Sequence, residues 1–155
     1  MPKFGVDAVS FTSPITTADT AISITMGAAA RAEVVELIMT GGGVTAAADT
    51  QHRASSRFCD FATAGTPGAS PVPEIFDSGV AAAAAAADTA YAAEPTNINT
   101  VSHVAFGFNQ RGGMRWAVPR GEGIHVQGGL TEDGLVWTVV SSAAGVVDAT
   151  MNWWE

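Results

Sequence analysis

The groups in this sequence that could carry acid–base, metal or nucleophilic chemistry are three histidines, fifteen acidic side chains and one cysteine. The histidines are His52, His103 and His125. No two of them stand within the roughly one to five residues usual for a metal-binding couple. His103 lies between Ser102 and Val104, and His125 between Ile124 and Val126, so each reads as a single imidazole on a sheet surface or at a subunit contact. Asp7, Asp19, Asp49, Asp60, Glu132 and Asp133 adjoin turn-forming residues, where a short carboxylate bonds its own backbone. Glu132-Asp133-Gly134 offers two neighbouring acids, far short of a calcium loop. Cys59 is alone, which excludes an internal disulfide and a cysteine metal cluster; flanked by Phe58 and Phe61, it reads as core packing rather than a reactive thiol.

Glycine motifs add little chemistry. Gly41-Gly42-Gly43 lacks a phosphate-loop spacing and a following Lys-Ser or Lys-Thr, so it reads as a turn. No Gly-x-Ser-x-Gly occurs. Arg111-Gly112-Gly113-Met114-Arg115-Trp116 has the Arg-Gly flavour of RNA-binding segments, but only once and in an acidic chain. It reads instead as a tight turn or as a strand that a neighbour approaches closely. An enzyme needs a convergent set of acids, bases or nucleophiles. With no such set in view, the expectation is a protein without catalytic site, metal or cofactor.

The elements that carry these groups are short alternating segments broken by Gly, Pro, Asn and Asp, the rhythm of an all-β sandwich or barrel. Ala21 to Met26 puts Ile22, Ile24 and Met26 on one face. Arg31 to Thr40 aligns Val35, Leu37 and Met39, with Glu33 on the same face. Arg53 to Thr63 carries Phe58 and Phe61, whose odd spacing predicts a bulge or strand end near Asp60. Val104, Phe106 and Phe108 share one side; Met114, Trp116 and Val118 share another; Ile124 and Val126 make a short strand. Leu135, Trp137 and Val139 alternate with Val136, Thr138 and Val140, and Met151 and Trp153 with Asn152 and Trp154.

Trp116 and Trp137 are expected in the core. Trp153 and Trp154 point to opposite faces, so a second layer or a partner chain must cover one of them. Residues 65–73, with three prolines, form an extended loop. The seven alanines Ala81 to Ala87, with Asp77 or Ser78 as a cap, predict one short helix. The whole chain, 1–155, reads as one domain, and residues 1–17 as either an extended N-terminal arm or its first strand.

Hydrophobic residues make up 47% of the chain and charged residues only 14%, too little charge for a lone soluble molecule. Part of the surface is therefore expected to be covered by neighbours. Seven Lys+Arg against fifteen Asp+Glu give a net charge of −8, and the basic residues look scattered, which argues against nucleic acid and an anionic membrane as partners. No signal-peptide pattern and no long bulky apolar run is present, so synthesis in the cytoplasm without export is expected.

The run Phe108-Asn109-Gln110-Arg111-Gly112-Gly113-Met114-Arg115-Trp116-Ala117-Val118-Pro119, the proline-rich middle and the closing Trp153-Trp154-Glu155 resemble the capsid cement (head decoration) proteins of tailed bacteriophages. The likeness covers the last third well and the rest only in strand rhythm. Relatives often carry bulkier residues where this chain has Gly112-Gly113, which leaves open whether that stretch is turn or strand. The resemblance implies a jelly-roll-like antiparallel β-sandwich that assembles as a homotrimer on the outside of a phage head. It would bind the major capsid protein there as a structural component of the virion. The residues assigned to that partner interface are Arg111, Arg115, Trp153, Trp154 and Glu155. The alternative is a receptor- or glycan-binding module of a phage tail or cell surface, for which Trp137 beside Glu132 and Asp133 is the candidate site.

Overall fold

Period-two alternation turns one set of side chains of each strand toward the core, and two sheets close over the apolar sets; in β2 and β11 of the second sheet (Asp19–Met26 and Gly134–Ser141) the other set is buried as well. The computed structural model describes residues 2–42, 49–63, 65–77 and 79–155. Gly43 and Ser78, read above as turn and cap residues, lie outside the described residues. The first sheet, sheet A, has the order β10 (Ile124–Gln127), β3 (Arg31–Gly41), β12 (Gly145–Trp154), β1 (Lys3–Ser13), β5 (Glu74–Ile75). On the free edge of β3, β10 pairs with residues 31–34 and β9 (Gly113–Ala117) with residues 36–40. Sheet B has the order β6 (Ala85–Thr89), β2 (Asp19–Met26), β11 (Gly134–Ser141), β4 (Gln51–Asp60), β7 (Asn97–Ile98), with β8 (Val104–Asn109) also on β4. Every one of these pairings is antiparallel. The fold is an antiparallel β-sandwich.

Its core is a single cluster in which Phe4, Leu37, Met39, Met151 and Trp153 of sheet A meet Ile22, Ile24, Leu135, Trp137 and Val139 of sheet B. Each such side chain contributes roughly 1.5–3 kcal/mol of burial. Trp116 is half-buried and packs on the rim of this cluster, while Trp137 is wholly inside it. The strand break expected near Asp60 is present: β4 ends there and a single 3-10 turn, Phe61–Thr63, follows.

Three expectations change. The alanine run is not a helix: Ala85–Thr89 is strand β6, laddered on β2 from Ile22↔Thr89 to Met26↔Ala85, and residues 81–84 are irregular. A helix that short is marginal alone, whereas the ladder satisfies the backbone and buries Ala85 and Ala87 against the core. Lys3–Ser13 is an inner strand of sheet A between β12 and β5, so the first-strand reading of residues 1–17 holds there and the arm does not. Gly112 sits in the turn and Gly113 opens β9. That turn carries the chain from sheet B to sheet A and needs close backbone approach: a Cβ on Gly41 would stand 1.7 Å from the Gln110 carbonyl oxygen.

Candidate functional site

The outer face of sheet A gathers the groups best placed to meet another molecule. Phe4, Val6, Val34, Leu37, Met151 and Trp153 point inward, so their neighbours in sequence point out. Strand register then sets His125, Glu33, Trp154 and Lys3 in one row across β10, β3, β12 and β1. Glu36, Asn152 and Gly5 make the next row. Arg115 lies beside Glu36 from β9, and Arg120, in the β9–β10 connection, sets its guanidinium 5.6 Å from the Trp154 ring. Lys3, Arg31, Arg115 and Arg120 are four of the seven Lys and Arg residues of an acidic chain. Basic side chains that look scattered in the sequence are gathered by strand order.

Two buried carboxylates organise this face. Glu36 accepts from Arg115 Nε at 2.6 Å and Asn152 Nδ2 at 2.8 Å, with Lys3 Nζ at 3.7 Å. Burial alone would raise its pKa, but the Asn152 and Arg115 hydrogen bonds and the nearby Arg115 and Lys3 charges outweigh it and hold the group below the usual carboxylate range. Glu33 takes the Gly121 and Gly123 amides at 2.5 and 2.9 Å. There too burial is outweighed, by those amides and by His125 and Arg120, and the pKa is lowered. The β1–β5 edge mixes apolar and acidic groups: Val72 and Phe76 are 81% and 62% exposed, Val9 is exposed further along β1, and Asp7 and Glu74 are exposed beside them.

A second polar network is shut inside the sandwich. Ser13 Oγ donates to the Gly145 carbonyl at 3.0 Å and accepts from Ser141 Oγ at 2.5 Å. Ser141 must then accept from His52 Nδ1, 2.6 Å away, which fixes the neutral tautomer with its proton on Nδ1. The ring stacks on Phe108 at 5.0 Å, and burial lowers its pKa. All three residues are buried, so this Ser–His contact has no route to a substrate. Cys59 is equally enclosed: burial, then the charges of Asp60, Asp133 and Glu94, push its thiol up to about 12. Among the described residues no three His, Cys, Asp or Glu side chains are grouped to hold a metal ion, and no helix is long and apolar enough to cross a membrane.

The residues assigned to an interface from sequence divide between these environments. Arg115 and Trp154 lie on the outer face of sheet A. Arg111 is exposed in the β8–β9 turn that leads into β9. Trp153 is 0% exposed and belongs to the core, so it is withdrawn from the interface: β12 already buries it beneath sheet B and against Phe4. Glu155 is a clasp, its carboxylate taking the Ala84 and Ala85 amides at 2.6 and 3.0 Å and the Trp153 indole N–H at 2.9 Å. It ties the end of β12 in sheet A to β6 in sheet B. The glycan site on Trp137 also falls, because that indole is 0% exposed. Glu132 pairs with Asn99, and Asp133 accepts from the Phe61 amide at 3.0 Å. His125, read from sequence as an imidazole on a sheet surface or at a subunit contact, lies on this face, whereas Lys3, Glu33, Glu36, Arg120 and Asn152 were missed; only the inter-strand register, which no local pattern encodes, brings them together. No protein-family model matches the chain, and no curated protein does.

Proposed function

We propose that this chain is a structural protein that docks on other protein subunits through the outer face of sheet A. In that role it is a cement (decoration) protein on the head of a tailed bacteriophage, bound as a homotrimer to the major capsid protein and made in the host cytoplasm. The observation that carries this reading is the composition of that face. In a chain of net charge −8 it collects four of seven basic residues around two ionised carboxylates, beside an edge of exposed Val9, Val72 and Phe76. Broad, rigid, mixed surfaces of aromatic, arginine and apolar groups suit contact with a protein rather than a small substrate. The resemblance of residues 108–119 and 153–155 to cement proteins supports the specific role.

The test is the assembly state and shell affinity of the purified chain. Sedimentation should give a trimer, and the protein should co-sediment with expanded heads of a tailed phage, but not with free shell subunits. A monomer without affinity for heads, or one that retains selected glycans instead, would overturn the proposal.

A further inference from the structure

Residues 71–76 run along the edge of β1, to which β5 is paired, and leave a cleft of about 450 Å³ whose walls include Gly5, Asp7, Val72, Glu74, Phe76 and Asn152. At its base Asn152 is only 6% exposed. Its amide nitrogen is committed to Glu36, so its Oδ1 is the atom turned the other way, towards Gly5. A Cβ at position 5 would stand 2.3 Å from that oxygen and 3.0 Å from Phe76 Cε2; only glycine leaves it room. Among the described residues Asn152 Oδ1 has no hydrogen-bond partner, a costly condition for a buried acceptor. Asp7 and Glu74, both exposed, make no ion pair among the described residues. Phe76 and Val72 supply an exposed apolar wall. The Lys3 ammonium, 4.9 Å from the Phe76 ring centre, shows that this ring accepts a cation.

These groups demand the same thing of a ligand. Two carboxylates and an amide oxygen accept hydrogen bonds and favour positive charge, while the ring and Val72 favour an aliphatic stem. A neutral sugar offers these carboxylates hydroxyl donors but no charge, and an anion would be repelled. We infer that the cleft takes a lysine or arginine side chain presented by a partner protein. The stem lies on Val72 and Phe76, and the cationic head meets the exposed Asp7 and Glu74 carboxylates, with the Asn152 Oδ1 dipole, buried beside Gly5, adding to the attraction. This rests on the docking reading and gives the partner's side of the contact its chemistry.

The probes are N-acetyl-lysine methylamide and N-acetyl-arginine methylamide, titrated into the full chain while amide resonances are followed by NMR. Saturable shifts of the Gly5 backbone amide and the Asn152 side-chain amide are expected, with weak affinity because a single side chain offers few atoms. Asp7→Asn and Glu74→Gln should each weaken binding at least about threefold by removing one charge from a contact partly screened by water. Both residues are exposed, and an unchanged spectrum of each variant verifies the fold. No shift, an equal shift from N-acetyl-glutamine methylamide, or shifts from methyl glycosides alone would overturn the inference. Heads separate the two proposals. If wild type co-sediments and the double variant D7N/E74Q does so equally, the cleft assignment fails while docking stands. If neither co-sediments but the amines bind, docking on heads fails while the cleft assignment stands.

Discussion

The networks around His52 and Glu36 are built alike and end differently. Each joins residues brought together from distant strands: Ser13, His52 and Ser141 in one, Lys3, Glu36, Arg115 and Asn152 in the other. Around His52 the hydroxyls and Nδ1 close on one another and on the Gly145 carbonyl, with Phe108 as a lid, and only Nε2 is left without a partner among the described residues. Around Glu36 the carboxylate is buried, but Arg115 remains 67% exposed and the network opens onto a face that another molecule can reach. A polar network sealed from water fixes how strands pack. The same kind of network with one open side can also recognise a partner.

The widest gap between the closed and open sides is expected at neighbouring residues of β12. Trp153→Ala should cost about 3–5 kcal/mol in urea unfolding, because it empties the largest inward side chain of sheet A. Trp154→Ala removes an indole from the open face and its contact with Arg120, and should cost less than about 1 kcal/mol. Equal losses would erase the distinction between the two faces. A smaller gap is expected within the networks. Ser141→Ala leaves the His52 Nδ1 proton without its acceptor and should cost about 1–3 kcal/mol without changing partner binding. Arg115→Ala removes a largely exposed cation, should cost under about 1 kcal/mol, and should weaken docking.

The subtlest contrast is in pH. The folded pKa of His52 lies below its ordinary 6.5, so as pH falls below that value the unfolded chain takes up the proton first and stability declines. Glu33 and Glu36 have folded values below their ordinary 4.5; their stabilisation is present above that pH and is lost as pH falls through the folded values. Asp19 and Glu94, raised by burial, pull the other way, because the folded chain binds their protons first. Melting temperatures at pH 7.5 and 5.5 should therefore fall less in His52→Gln than in the wild type. Identical slopes would remove His52 as the source.

Much of the sandwich was legible in the chain because alternation is local: Ile22, Ile24 and Met26, or Leu135, Trp137 and Val139, declare an inward face within one strand. The alanine run misled because intrinsic propensity favours a helix, while the unpaired edge of β2 rewarded a strand. Arg115 and Trp154 were found as interface candidates because aromatic and arginine residues stand out. Their companions were not, since Lys3 meets Trp154, and Asn152 meets Glu36, only through pairings across more than a hundred residues. Trp153 and Trp154 were known to diverge, but which one turned inward depended on the register of β12 with β3, which slips between Asn152 and Trp153.

The pairing of Lys3 with Trp154 also decides how the molecule answers a pull. These residues face each other at one end of the antiparallel β1–β12 ladder, and the Glu155 amide donates to the Pro2 carbonyl beyond them. Tension drawing residues 2 and 155 apart would unzip that ladder rung by rung, a weak mode, once the Glu155 clasp released β6. Load applied across the broad side of sheet A is instead shared by its strands together. A mechanical anchor is therefore better seated on that side than at residues 2 and 155.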